Sequence, residues 1–521
     1  MRPRLWRPPV TLSEGEERIV KRIRRAKLFV FLRQVRHLLF DEEFQLELAG
    51  LYVDSPTGQP PVAPALLALV SIMQAYTGAS DDEAIEATLM DRRWQLVLDC
   101  PDCEHAPFSK GTLVAFRRRL IEGGMDRRLI ERTVELAESS QAFGPRQLRA
   151  ALDSSPLWGA GRVEDTYNLL GHALRKALSV IARQQGWGLA DTAREAGAEV
   201  VTASSLKAAL DLDWDDEEQR GRGLVLVLTA LDNVTGWLDV HPQQGAAPEV
   251  AACLAAAGQV REQDVELSSD ATPRLRQGVA RDRRISLQDA QMRHGRKSHR
   301  QLIDGYKRHV LRDLDKGLVR AVALTPANVP EATATEPIMA DLACQAVQLA
   351  ELSIDRAYLS SRLVRERPEG LQINCKAWPV RNGRHFPKTA FAMDWEQGLL
   401  TCPNQVTMPF EPGGVLHFPK PTCARCLLRE RCTSSLMGRS VTIHPDERLL
   451  SELRQRQLTP AGRHKLRERV HVEHSLAHIG RIQGRRARYI GQRKNLFDLR
   501  RAAVVHNLHQ LSHDTHLLFA A

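Results

Sequence analysis

The sequence opens without an apolar run of signal-peptide length, and it holds no uninterrupted apolar stretch long enough to cross a bilayer. Arginine and proline break up its first ten residues, MRPRLWRPPV. A cytosolic chain without a membrane partner is the expectation. Internal repeats and low-complexity tracts are also missing, which sets aside solenoids and disordered linkers. Nine cysteines, an odd number without an export signal, speak for reduced thiols or metal ligands and against a disulfide framework.

What is present is ordinary globular material: 521 residues, 43% hydrophobic and 26% charged. That length exceeds one hydrophobic core and implies two to four domains. The formal net charge of +10 suits a polyanionic partner without identifying one. Its distribution is more informative. Between Arg463 and Arg501 basic residues recur with few acids among them, including Arg467, Arg469, Arg481, Arg485, Arg486, Arg488, Arg493, Lys494 and Arg500, and a smaller cluster spans Lys21 to Lys27. A solvated helix face is the plain alternative for either cluster.

Apolar spacing predicts a helical domain up to about residue 145. Ser80 and Glu83 have capping-box spacing and open a helix carrying Ile85, Leu89 and Leu96 inward. In FSKGTLVAFRRRL, Leu113, Phe116 and Leu120 share one face while Arg117, Arg118 and Arg119 spread over the other, an order compatible with DNA docking. LRAALD then reads as a buried strand delivering Asp153 at its end, over 146–160. A mainly helical insertion is expected over 161–300, within which GLVLVLTALD is strand or helix by pattern. Strand character returns over 301–375: DGYKRHVLRD and GLVRAVALTP flank the hairpin turn LDKG, an Ala-rich helix is expected from Glu331 to Ala350, and ELSID and LQINCK follow as strands. Residues 376–445 read as a Cys-rich insertion and 446–521 as basic helices. The succession is α/β.

Phosphodiester cleavage requires an activated attacking oxygen and a stabilised leaving oxygen, which two divalent ions roughly 4 Å apart provide. Hard ions of this kind take carboxylates converging from different elements. Asp153 and Asp355 each terminate an apolar run. Glu473 falls within a stripe of Leu466, Val470, Ala477 and Gly480 at helical spacing, where a carboxylate is costly unless paired or metal-bound. An ion pair with Arg469, one turn earlier, is the alternative. Cys423, Cys426 and Cys432 have x2 and x5 spacing, with Cys402 twenty-one positions ahead, and form a candidate structural Zn²⁺ set. Cys100 and Cys103 have no second pair nearby and read as a turn. His474 and His478 stand one helical turn apart but lack a third ligand, so they read as DNA-facing or exposed.

These positions carry a family resemblance. Asp153 with the run that follows it, SSPLWGAGRVEDTYNLL, resembles the first catalytic block of bacterial insertion-sequence DDE transposases, in the Cys-containing branch related to the insertion-sequence four and five families. QDAQMRHGRKSHRQLIDGYKRHVLRD with LTPANVPEA resembles that family's second and third strands. IDRAYLSS resembles its second-aspartate block, RVHVEHSLAHIGRIQGRRARYIG its glutamate block, and HAPFSKGTLVAFRRRL the end of its helical N-terminal domain. The resemblance implies a ribonuclease H-like catalytic core with a helical N-terminal DNA-binding domain. It implies Asp153, Asp355 and Glu473 as the ligands of Mg²⁺ or Mn²⁺. It also implies cleavage at terminal inverted repeats followed by attack of the freed 3′-hydroxyl on target DNA.

Double-stranded DNA is then the partner, contacted by Arg469, Arg481, Arg485, Arg486, Arg488, Lys307, Arg117 and Arg118, with a homodimer in the synaptic complex and a place at the bacterial nucleoid. Related families surround the last acid with Tyr, Arg, Glu and Lys. Here Arg469 and Glu473 match, Leu466 stands at the Tyr position and Gly480 at the Lys position, with Arg481 as the candidate replacement. A DNA-binding derivative without cleavage, or a metal-dependent nuclease without strand transfer, are the other readings of these residues.

Overall fold

The computed structural model describes residues 2–54, 56–139, 146–298 and 301–513; the domain junction at 140–145, residues 299–300 of the second block and the end of the chain from 514 lie outside them. At its centre is a six-stranded mixed sheet built on β1 (Arg146–Trp158). The remaining strands are β2 (Arg293–Ser298), β3 (Gln301–Asp313), β4 (Val319–Pro326), β5 (Val347–Ile354) and β6 (Gln372–Asn374). β3 pairs antiparallel with one edge of β1, β5 pairs parallel with the other, and β6 continues parallel from β5. β2 and β4 share the outer edge of β3, each antiparallel to it. The strand at 293–298 therefore begins inside the stretch expected to be helical insertion.

The β3–β4 hairpin forms at the expected LDKG turn. Buried Asp313 accepts from the backbone N–H groups of Asp315 and Lys316, both at 2.9 Å, and pairs with Arg320 at 2.9 Å, while Gly317 takes φ +74°. At Gly305 the backbone has φ +151°, and a Cβ would lie 2.3 Å from the Gly159 nitrogen. Glycine there lets β3 cross the end of β1 at contact distance. The Ala-rich helix is shorter than expected. It comprises Thr335–Leu342 after one 3-10 turn, and the chain from Val347 becomes β5, because parallel pairing with β1 outweighs the helical preference of the segment.

Alternation along β1 divides the core. Leu148, Ala150 and Leu152 face a cluster with Ile338, Leu342 and Leu450. Ala151 faces the other cluster, where Val472, Leu476 and Ile479 of the helix Val470–Gln483 pack. Asp153, two residues beyond Ala151, emerges on that helix's side.

Among the described residues, the N-terminal part folds into eight helices between Glu14 and Ser139. Ser80 and Glu83 form the expected reciprocal capping box, with Ser80 N–H donating to Glu83 at 2.7 Å. The helix they open stops at Met90, where Asp91 caps a separate helix, Arg92–Leu98, so Leu96 belongs to the second. This domain is fused to the sheet through the last helix, Gln492–Leu511. Leu499, Val504, Val505 and Leu508 are fully buried there, each contributing about 1.5–3 kcal/mol of transfer free energy. Asn507 bonds both Thr133 (2.8 Å) and the backbone of Val319 (2.7 and 2.9 Å).

Between β1 and β2 lies a helical insertion whose core joins Thr166–Gln185, Glu217–Val240 and Pro248–Asp264 through Leu174, Ile181, Val227, Leu231, Val250 and Val260. GLVLVLTALD is therefore helix. By length and composition Glu217–Val240 could cross a membrane, its most apolar 18 residues averaging a hydropathy of 1.3, but Asp232 and Asn233 interrupt the stretch and one face of it is spent in this core. After β6 come small sheets, Ala392–Asp394, Leu399–Thr401 and Thr407–Pro409 in one and Val415–His417 with Ser440–Thr442 in another.

Candidate active site

Parallel register places the first two carboxylates. Leu152 pairs with Ile354, so the next residues, Asp153 and Asp355, stand together where the parallel ladder ends. β5 stops at Ile354, whereas β1, expected to end at the acid, runs on to Trp158 with Asp153 opposite Val310 of β3, because β3 continues to pair with it. Both carboxylates are anchored locally: Asp153 accepts from Ser154 N–H at 2.8 Å and Asp355 from Arg356 N–H at 2.6 Å. Glu473 projects from the helix Val470–Gln483 into the same open cleft of about 940 Å³, whose walls also include Arg308, Glu331, Trp378, Arg481 and Arg485. The Glu473 side chain is 49% exposed.

The stripe read through Leu466, Val470, Ala477 and Gly480 is thus corrected. The packed face is Val472, Ser475, Leu476, Ile479 and Gln483, whereas Val470 is 44% exposed and Ala477 and Gly480 line the cleft. Small residues there leave volume open instead of marking a buried seam.

Arg469 forms an ion pair with both Asp153 and Glu473, the latter at 2.8 Å. Burial pushes the Asp153 carboxyl up from the usual range, Arg469 pulls it down, and Asp355 and Glu473 push it further up. Like charges therefore converge, and one guanidinium holds two of them together. Among the described residues no group of three His, Cys, Asp or Glu side chains is already assembled around a metal position. The donor set nonetheless fits a hard divalent cation: three carboxylates from three elements, with a cation already lodged between two of them.

Behind the carboxylates lies a buried polar row that sequence reading missed. His309 on β3 is fully buried, with Nδ1 2.7 Å from the Tyr358 hydroxyl and Nε2 2.9 Å from Thr325 Oγ1. Burial and nearby Lys307 push its pKa down to about 3, so it is neutral. Burial, Asp153 and Glu331 raise Tyr358 well above the ordinary phenol range. Glu331 is a fourth carboxylate on the cleft, accepting from Ser154 Oγ at 3.0 Å. Its only sequence signal was a place in the LTPANVPEA block.

The expected DNA-contact residues divide. Arg481 and Arg485 are exposed on the cleft. The Arg485 carbonyl accepts from Trp158 N–H at 3.0 Å and Ala487 N–H donates back to Trp158 at 2.6 Å, which pins this arginine-rich segment to the end of β1. Arg486 and Arg488 are exposed but partly engaged, donating to the carbonyls of Gly159 (3.0 Å) and Gly78 (2.9 Å). Arg118 is exposed, but Arg117 is turned inward onto Asp81 at 2.5 Å. Lys307 is also buried, and its ammonium donates to the Val329 carbonyl at 3.0 Å. Both are corrections: a nearby internal acceptor outcompetes solvent for the cation.

Farther along, Arg493 and Arg500 converge on Asp126, and Arg500 also holds Asp341 at 2.9 Å, so they join domains. His478 is half-buried against His506 rather than exposed, while His474 is exposed. Arg308 was overlooked. Its guanidinium donates to the Pro156 carbonyl at 2.8 Å, burial pushes its pKa down to about 10, and a Cβ added at Gly480 would sit 3.5 Å from it.

Three protein-family models match the chain. One described as Transposase domain (DUF772) covers residues 17–119, one described as Transposase DDE domain covers 270–374, and another of the same description covers 401–512. Asp355 and Glu473 lie within these matches, and Asp153 lies between them. Comparison with curated proteins and with solved structures returned no match.

Proposed function

Since the chain belongs to the insertion-sequence DDE transposases, enzymes that cut and transfer DNA strands with divalent metal ions, we propose that it binds terminal inverted repeats, hydrolyses the phosphodiesters at the element ends and joins the 3′-hydroxyls to target DNA. The observation that carries this reading is the convergence of Asp153, Asp355 and Glu473 on one cleft rimmed by Arg481 and Arg485. Antiparallel β3 and parallel β5 on either side of β1 support a ribonuclease H-like core, and the order of blocks from SSPLWGAG after Asp153 to the glutamate helix supports the Cys-containing branch.

Asp153, Asp355 and Glu473 are the residues that would hold Mg²⁺ or Mn²⁺. When bound there, the metal supplies activation of the attacking oxygen and charge stabilisation of the leaving one. Arg469 keeps Asp153 and Glu473 at close quarters against their repulsion. Arg481 and Arg485 attract and orient backbone phosphates. The Arg308 charge lies directly behind Gly480, where related families carry lysine, and together with Arg481 it makes that corner of the cleft cationic. His309, neutral and held between Tyr358 and Thr325, keeps the floor beneath Asp153 rigid. Synapsis of two element ends calls for two copies, hence a homodimer.

The test is purified protein with a labelled inverted-repeat end, Mg²⁺ and a target plasmid. Cleaved ends that become joined to the target are the expected product. Binding without cleavage would identify a DNA-binding derivative, and cleavage without joining a nuclease.

A further inference from the structure

The 376–445 segment has too little core to stand by itself. Its apolar cluster has only six buried members among the described residues: Phe391, Leu400, Phe410, Phe418, Val441 and Ile443. Modules of this size commonly depend on disulfides or a metal. None of the cysteines here is in a disulfide. Instead, Cys402, Cys423, Cys426 and Cys432 all line one small cavity of about 30 Å³, the size of an ion or a water, walled by Phe391, Phe418 and Arg439.

The local backbone at each thiol has the form of a ligand loop. Cys402 sits in the turn between Leu399–Thr401 and Thr407–Pro409, where Val406 N–H donates to its sulfur at 3.4 Å and Gln405 adopts φ +60°. Cys423 and Cys426 are joined by one tight turn, Cys426 N–H to the Cys423 carbonyl at 3.3 Å, and Cys432 closes the next, Arg429–Cys432. Gly438, at φ +95°, lets the backbone pass Cys423: a Cβ there would be 3.4 Å from its sulfur.

We propose that Cys402, Cys423, Cys426 and Cys432 bind one structural Zn²⁺, which holds the insertion together and is separate from the carboxylate cleft. Four thiolates are a closed tetrahedral set with no open position, the pattern of a structural and not a catalytic zinc. They leave two net negative charges on the complex, and the Arg439 guanidinium, bonded to the Cys432 carbonyl at 3.2 Å, stands beside them. On binding, the thiols lose their protons and draw in around the ion, so that metal affinity becomes folding free energy for the module. The centre would fix the module that meets the helix Glu447–Arg456 through Lys388, which pairs with buried Glu447.

The experiment is metal analysis of the full-length protein, purified without added chelator and equilibrated with Zn²⁺. One zinc per chain is expected, retained in excess Mg²⁺ and in Asp153→Asn and Glu473→Gln, and lost in Cys423→Ser and Cys426→Ser. Because those serine variants threaten folding, the wild-type chain is also reconstituted with Co²⁺. Intense thiolate-to-cobalt charge transfer and tetrahedral visible bands are expected, together with chelator-accelerated proteolysis confined to 376–445. Absence of zinc with freely reactive thiols, a disulfide between any of the four, or zinc that disappears with the Asp153 variant would each overturn the proposal.

Discussion

Arg469 reaches back 316 residues in the sequence to pair with Asp153. Its other terminal nitrogen holds Glu473 at 2.8 Å, so one cation links two members of the carboxylate set. A divalent ion bound by these acids would compete with that guanidinium for the same lone pairs. Arg469→Gln should therefore lower the melting temperature of the metal-free protein, by the equivalent of about 1–3 kcal/mol for a partly buried pair losing one partner. It should also enlarge the stabilisation given by Mn²⁺. Thermal melts with and without Mn²⁺ measure both. A metal-induced shift no larger than that of the wild type would mean that the arginine does not stand in for the ion.

Neutral isosteres keep shape while removing ligand charge. Asp153→Asn, Asp355→Asn and Glu473→Gln should each reduce Mg²⁺-dependent end cleavage by about 1,000-fold or more, since several kcal/mol of charge stabilisation is lost. Repeat binding at moderate salt should change little. Single-turnover cleavage and gel-shift assays on the same preparations separate the two effects. Cleavage persisting in any of the three would remove that residue from the site.

The arginines of the last 60 residues should divide by burial. Arg481 and Arg485 are exposed on the cleft, so the double Ala variant should weaken DNA binding and reduce the slope of log K against log salt by about 2. Arg493→Ala should instead lower stability and leave the slope alone, because Arg493 is bound to the buried Asp126 at 2.6 Å. Binding titrations over a salt series, with melts alongside, distinguish them. Equal slopes for wild type and the double variant would show that phosphate is held elsewhere.

The strands behind the cleft were legible because in each an apolar run leads up to an acid, although β1 continues past Asp153 to Trp158 along β3, and the LDKG hairpin because Asp and Gly meet the turn's own demands. Glu473 does reach the cleft, but not for the reason read from the sequence: the stripe around it lines that cleft, since Ala and Gly at helical spacing signify open space as readily as close packing. The basic tail misled for a related reason. Whether Arg493 or Arg117 meets phosphate or a buried aspartate depends on Asp126 and Asp81, brought in by distant parts of the chain. The row of His309, Tyr358 and Thr325 arises from strand register and a 3-10 turn, which no local pattern encodes. The strand at 293–298 was hidden because it is polar and lies at the sheet edge.

A second histidine group makes acid stability predictable. His506 is buried in the last helix, with its Nδ1 2.9 Å from that of His478 and its Nε2 3.3 Å from Ser475 Oγ, and His509 packs edge-on to Tyr76. Burial comes first in holding them neutral, aided by mutual repulsion and Arg312: His506 is pushed down to about 3 and His509 to about 4. In the unfolded chain both take protons near the ordinary 6.5. The depressed folded values mean that their stability contribution is complete above pH 6.5 and is lost as pH falls from there through about 4 toward 3. The slope approaches about 1.4 kcal/mol per pH unit for each excluded proton. Asp81, held down at about 2 by Arg117, adds to acid sensitivity only below the normal carboxylate range. Urea midpoints between pH 7 and 4.5 should therefore fall steadily for the wild type, and less steeply for His506→Gln with His509→Gln, even if the double variant is weaker at pH 7. Parallel curves would mean that the two imidazoles take up protons in the folded protein, and that the cluster is more open than its packing against Tyr76 and His478 implies.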